Sequence, residues 1–294
     1  MRRPTILITG ASGQIGYELA RLLPEHGDVV ATDRTILDLA DPDAIVAAMR
    51  GAKPSLVINA GAYTAVDLAE KEVALARAVN GRAPGIFAEE AKRLGAVLIH
   101  YSTDYVFDGT RTTPYPEDAA TEPLNTYGAS KLEGERAILA TGGDALILRT
   151  SWVYGLRGKN FLLTIRRLAA EREELRIVAD QIGVPNWSGT LAEATARMVG
   201  AGISALAERV GLYHLSSSGQ ASWYEFARAI VGDVPLPRIV PIATDDYPTP
   251  ACRPAFGVLA TGKFAATFGF TLPDWHEALA ACVASPTKAA RSDR

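Results

Sequence analysis

The chain has 294 residues, 48% of them hydrophobic, enough to bury a large core as one domain or two joined ones. Its 30 basic and 33 acidic residues nearly cancel and form no basic cluster, which argues against a nucleic-acid partner held by bulk charge. Two cysteines, Cys252 and Cys282, cannot make a disulfide framework and fit a reducing, cytoplasmic setting.

The N-terminal apolar run, TILIT, is too short for a membrane span or a signal-peptide core, so no membrane partner is expected. It is the first of several short apolar runs: Thr5–Thr9, Val29–Thr32, Leu56–Asn59, Val97–Ser102 and Ala145–Arg149. Amphipathic helical stretches lie between them, at Gln14–Leu23, Asp41–Arg50, Lys71–Asn80 and Pro84–Leu94. Continuous apolar runs separated by helices are what a parallel sheet buried on both faces requires, so the fold class is α/β, a Rossmann-like doubly wound sheet.

Past Gly155 the rhythm changes, with helices expected over Phe161–Glu174 and Ser188–Gly200 and a strand over Leu212–Ser217. Ser222 and Glu225 make a capping box, and a proline-rich stretch follows from Val234 to Pro254. The expected organisation is a cofactor domain over 1–155, with segments returning near 188–217. A smaller, partly interleaved α/β substrate domain follows over 156–285, then a disordered tail over 286–294.

TILITGASGQIG places Gly10, Gly13 and Gly16 between the first strand and the first helix. The glycines allow a tight turn, the approach of a diphosphate and close packing of helix on sheet, and the helix N-terminus attracts the phosphates. Asp33, at the end of the second strand, can accept from the adenosine ribose hydroxyls, whereas Arg34 beside it can pair with a 2′-phosphate. NADH and NADPH both remain open.

Tyr127 and Lys131 stand one helical turn apart in NTYGASKLEGE, and a phenol can act as proton donor when a nearby cation stabilises its phenolate. Thr103 leaves the fourth strand at the sheet's carboxyl edge, where its hydroxyl can share the substrate oxygen. Trp152 ends the fifth strand, placed to meet a substrate, and Arg253 is read either as a partner for a substrate diphosphate or as a plain surface arginine. The histidines His26, His100, His214 and His276 are scattered without metal-ligand spacing and read as structural.

The GxxGxxG loop, NAGAYTAVD, HYSTDYVFDG, PLNTYGASKLEGE, RTSWVYG, DQIGVP, GLYHLS and YPTPACRP occur in order along nearly the whole chain. Together they resemble the dTDP-4-dehydrorhamnose reductases of the extended short-chain dehydrogenase/reductase superfamily. The resemblance implies Gly13, Gln14 and Ile15 at the pyrophosphate, Asp33 at the ribose, and Asp38 and Leu39 beside the adenine. It implies Ala62, Tyr63 and Thr64 on the nicotinamide side with Tyr101 behind them, Tyr127 as proton donor with Lys131 its partner, and Thr103, Asp104 and Trp152 at the deoxysugar nucleotide.

The implied reaction is reduction of dTDP-4-dehydro-L-rhamnose by NADH or NADPH, the last step to dTDP-L-rhamnose. The alternatives are reduction of another dTDP-4-keto-6-deoxyhexose, or a non-catalytic cofactor-binding regulatory subunit like that of methionine adenosyltransferase. Gly61 stands where members commonly have alanine, an exchange expected to be harmless. Some members pair through a magnesium ion held by glutamates; Glu18 is in place, but Gly189 stands where the second carboxylate is expected. The chain is therefore read as a monomer or homodimer with no protein metal site of its own.

Overall fold

A computed structural model describes residues 3–285, so the tail expected over 286–294 lies outside the described residues. Six strands form one parallel sheet: β1 (Thr5–Thr9), β2 (Asp28–Thr32), β3 (Leu56–Asn59), β4 (Val97–Thr103), β5 (Ala145–Thr150) and β6 (Gly211–His214). Their order is β6-β5-β4-β3-β1-β2. The order reverses between β1 and β3, and a crevice at such a reversal, outside the strands' carboxyl ends, is where open α/β sheets take their ligands.

β3, β4 and β5 are buried at every position, which explains their unbroken apolar runs. Helices cover both faces: α1 (Gln14–Leu22), α2 (Pro42–Ala52), α3 (Ala83–Leu94), α4 (Thr126–Thr141), α5 (Phe161–Glu171), α6 (Ser188–Gly200) and α7 (Trp223–Val231). Ile6, Ile8, Ile58 and Ile99 pack against Leu19 of α1 and Leu191 of α6. Leu7, Val57, Leu98 and Ile147 pack on the other face against Met49 of α2, Phe87 of α3 and Ile138 of α4. Each such side chain, fully withdrawn from water, contributes about 1.5–3 kcal/mol before the cost of ordering it.

Local signals set the ends of these helices. Asp41 lies outside α2 as its N-cap, accepting from the amides of Asp43 and Ala44, and Pro42 opens the helix. The two helices expected over 71–80 and 84–94 are joined. Val73–Arg77 runs through a π-helical turn, Ala78–Arg82, into α3, and the widened turn accommodates Pro84 near the start of α3.

The helix expected to reach Glu174 ends at Glu171. Glu174–Val178 is instead a strand, paired in parallel with Arg238–Ile242 from the proline-rich stretch. Here Leu175 turns inward between exposed neighbours, as a strand with one covered face requires. On this small sheet Leu175 packs against Ile165 of α5 and Ala227 of α7; Tyr154, Phe226 of α7, Trp275 and Cys282 build a separate core, while α6 and β6 return to the main sheet.

Candidate active site

The loop after β1 is shaped by steric need. Gly10 has φ +69°, and a Cβ on it would lie 2.7 Å from the Cα of Gly61, at the end of the neighbouring strand β3. The Gly13 amide donates to the Gly10 carbonyl at 2.8 Å, closing the turn. That same carbonyl occupies the place a Gly16 side chain would need. Gly16 therefore packs α1 beneath the loop and is not part of the cleft wall, unlike Gly10, Gly13, Gln14 and Ile15.

Gly13 is the N-cap of α1 and brings no capping side chain, so the first amides of α1 have no side-chain partner. A diphosphate is the kind of group such a helix end holds. The Gln14 amide donates to the Val153 carbonyl at 3.2 Å, and its oxygen accepts from Asn160 at 3.0 Å. The phosphate loop is thus tied to the segment leaving β5.

The cleft, about 610 Å³, continues past Asp33, Arg34, Asp38 and Leu39. Asp33 accepts from the amide and hydroxyl of Thr35 at 2.9 and 2.6 Å, which holds its carboxyl below the usual range. Asp38 accepts from the Ala40 amide at 2.9 Å.

At the other end Ala62, Tyr63, Thr64, Tyr101, Thr103, Tyr127, Lys131 and Trp152 line the same cleft. Tyr127 is in the first turn of α4, whose N-cap Asn125 accepts from the Gly128 amide at 2.8 Å. Burial pushes the Tyr127 phenol up to about 12; the Thr103 hydroxyl opposes this and the Asp104 charge adds to it. Burial pulls Lys131 down to about 8, against the attraction of Glu135. The Lys131 ammonium donates to the Tyr101 carbonyl at 2.6 Å. The Tyr101 hydroxyl pairs with Thr195 at 2.6 Å, and burial raises its pKa.

Trp152 has φ +43°, a left-handed backbone that an aromatic residue adopts only under constraint, and its ring stacks on Trp223 with centroids 3.5 Å apart. The surrounding packing fixes this ring at the cleft wall.

Two residues expected at the substrate are not among those lining the cleft. Asp104 is buried behind Thr103, off the cleft wall, accepting from the Thr103 hydroxyl at 3.1 Å, and burial raises its carboxyl to about 7. Arg253 is also off the wall; its guanidinium is committed to Asp67, Thr249 and the Ala251 carbonyl. As for a metal, Glu18 pairs with Arg21, and a side chain at Gly189 would run into the Trp187 ring. Among the described residues no group of three or more His, Cys, Asp or Glu could hold an ion.

The structure also brings in residues the sequence did not single out. Asn80, within the π-helical turn, accepts from the Tyr63 amide and donates to the Tyr63 carbonyl, both at 2.9 Å, fixing the loop that carries Ala62, Tyr63 and Thr64. Its amide also donates to Ser130 of α4 at 3.1 Å. Lys159 and Gly158 also line the cleft. The proline after Asn80 hinted at an interrupted helix, but nothing in the sequence marked Lys159.

The family model of the RmlD substrate binding domain matches residues 4–287. A dTDP-4-dehydrorhamnose reductase of Burkholderia thailandensis is 51% identical over 293 residues, 95% of this chain and 97% of that one. The reductase of that name from Escherichia coli K12 is 41% identical over 281 residues, covering 92% and 94%. Among solved structures, dTDP-4-dehydrorhamnose reductase from Bacillus anthracis in complex with NADP superposes with a TM-score of 0.89 at 35% identity, covering 96% of this chain and 99% of that one.

Proposed function

The chain belongs to the family of the RmlD substrate binding domain, and we propose that its cleft reduces the C4 ketone of dTDP-4-dehydro-β-L-rhamnose, the last step in making dTDP-β-L-rhamnose. One observation carries this reading: Thr103, Tyr127 and Lys131 line the same cleft as the uncapped glycine loop. NADH or NADPH, when bound, supplies the hydride to C4.

The uncapped first turn of α1, with Gly13, Gln14 and Ile15, suits the cofactor diphosphate, and the bare backbone at Gly10 and Gly13 leaves room for its approach. Asp33 and Arg34 take the adenosine ribose or its 2′-phosphate, and Asp38 and Leu39 flank the adenine. Ala62, Tyr63, Thr64 and Tyr101 enclose the nicotinamide side. We assign residues 1–155 with the returning 188–217 segment to the cofactor and 156–285 to shaping the sugar side.

Tyr127 gives its phenolic proton to the ketone oxygen as the carbonyl carbon becomes tetrahedral. Its raised pKa keeps that proton in place at neutral pH, and the Lys131 ammonium stabilises the phenolate left behind. Thr103 holds the oxygen and Trp152 offers a fixed flat wall to the sugar. Asp104 supports Thr103 from behind, and Arg253 holds a neighbouring segment. Binding energy from the nucleotide, remote from the reacting carbon, fixes the ketone against the phenol.

The test is Tyr127→Phe assayed by loss of reduced-nicotinamide absorbance with dTDP-4-dehydrorhamnose. Turnover falls by about 10²–10⁴-fold while cofactor affinity stays near wild type, since the phenol supplies acid catalysis and little binding. Near-normal turnover of the variant would refute the assigned acid, and a wild-type protein that binds cofactor tightly but never oxidises it would refute the enzymatic reading.

A further inference from the structure

Beneath the catalytic lysine lies a buried polar chain that the reaction as described does not use. The Lys131 Nζ is 3.2 Å from Nε2 of His100. Nδ1 of His100 is 3.1 Å from the Asn59 amide nitrogen, and the Asn59 oxygen accepts from the Thr9 hydroxyl at 2.6 Å. The Thr9 oxygen in turn accepts from the Gly61 amide at 3.2 Å, at the cleft wall. Thr9, Asn59 and His100 are register partners across β1, β3 and β4, all withdrawn from water.

We propose that His100 is a positioning residue for Lys131, a neutral acceptor held by Asn59 and Thr9 that fixes the ammonium under Tyr127 and sustains its charge. The inference rests on the assignment of Lys131 as partner of the catalytic phenol. An ammonium only donates, so with Lys131 charged Nε2 must accept and Nδ1 must carry the ring proton. Nδ1–H then needs the Asn59 oxygen, and the amide turned to present it gives its N–H₂ to Thr9. With Lys131 neutral the chain takes the opposite sense, the one drawn by the Asn59 nitrogen facing Nδ1. The chain therefore has two hydrogen-bonding directions, selected by the charge on Lys131.

A neutral acceptor suits this place. A carboxylate would bind the ammonium as an ion pair, and a second cation would repel it. Burial and the Lys131 charge keep His100 well below its ordinary pKa, so the ring stays neutral. The other ionisable groups around the pair are Tyr127 and Glu135 on α4, Tyr101 and Asp104 on or just after β4, and Arg149 on β5. Glu135 is already held by Arg149 at 2.9 and 2.6 Å and by Ser102 at 2.5 Å. His100 is thus the acceptor side chain that contacts the Lys131 ammonium directly.

The experiment compares wild type, His100→Leu and His100→Gln in the pH–rate profile of the reduction. Removing the acceptor disfavours the charged lysine, so His100→Leu moves the alkaline limb down by about one pH unit, which lowers kcat by about twofold at pH 7 and about tenfold near pH 9. His100→Gln, whose amide oxygen reaches toward the Nε2 position, brings the limb back toward wild type. A merely structural histidine would cost folded protein in both variants and leave the limb of the surviving activity in place, and that result overturns the proposal. Should neither variant fold, ¹⁵N NMR of the histidine rings in wild type decides: a neutral His100 protonated on Nδ1 at about pH 6 is expected, and protonation on Nε2, or titration to the cation near its ordinary pKa, overturns it. A wild type without reductase activity would fault the assignment of the reaction, not this inference.

Discussion

Arg253 and Asp67, 186 residues apart, meet in a two-pronged ion pair with N–O distances of 2.8 and 3.1 Å. The pair anchors the segment that also receives the Asn125 side chain, whose amide donates to the Cys252 carbonyl at 2.7 Å. Asn125 caps the helix that carries Tyr127. The sequence alone leaves Arg253 open between a substrate diphosphate and a plain surface; in the fold its guanidinium is held by Asp67, Thr249 and the Ala251 carbonyl. Arg253→Met keeps the stem and removes the prongs; because Asp67 is partly exposed, the cost in urea unfolding is about 1 kcal/mol. With the cap of α4 loosened, kcat falls several-fold while cofactor affinity holds. A variant whose only change is a higher KM for the nucleotide sugar would restore the arginine to the substrate.

Arg34 lines the end of the cleft that we assign to the adenosine, and Asp33 beside it spends one carboxylate oxygen on Thr35. Asp33 stays charged, but with one oxygen turned to Thr35 it has one left for a ribose hydroxyl, and the neighbouring guanidinium can pair with a 2′-phosphate. The chain should accept both cofactors, with Arg34→Ala weakening NADPH by about tenfold and NADH by less than about twofold. Fluorescence titrations with both reduced cofactors read the ratio, and equal losses would remove Arg34 from the phosphate.

Asp104 makes stability depend on pH in a direction opposite to the usual carboxylate. Its folded pKa, about 7, lies above the value of 3.8 in an unfolded chain. Between these values the folded state binds the extra proton, so the contribution of Asp104 is present at acid pH and is lost as pH rises through about 7. Asp104→Asn removes that loss. Measured by urea unfolding, its stability relative to wild type should improve by on the order of 3 kcal/mol between about pH 4.5 and pH 8. A flat difference would show that water or another donor keeps the wild-type carboxylate comfortable.

What the sequence made legible is what local chemistry dictates. Gly10, Gly13 and Gly16 could be read because a tight turn under a helix needs them, and the buried strands because two covered faces demand unbroken apolar runs. Tyr127 and Lys131 could be read because four residues make one helical turn. Contacts between distant segments could not be read. Asp67 is invisible from Arg253, and His100 looks like a lone core histidine until the register sets it against Asn59 and α4 brings Lys131 onto it. The strand Glu174–Val178 is unread in the sequence for the same reason, since its partner strand lies in a proline-rich stretch that reads as loop.

At Gly61 packing makes the expectation of a harmless exchange testable. An exchange for alanine looks harmless on size, yet a Cβ there would sit 2.6 Å from Cδ1 of Leu39 and 3.2 Å from the Thr9 hydroxyl. The leucine end is flexible and gives way first, but Leu39 forms part of the cleft wall, so its displacement narrows the adenosine end. Thr9 has less freedom, because it accepts from the Gly61 amide and donates to Asn59. Gly61→Ala should therefore weaken NADPH by about three- to tenfold with kcat within about twofold, the mark of lost ground-state binding. Pairing it with Leu39→Ala restores room, so the two changes should be far from additive in cofactor affinity. Additive losses would place the clash at Thr9 instead, and kcat would then fall together with the affinity.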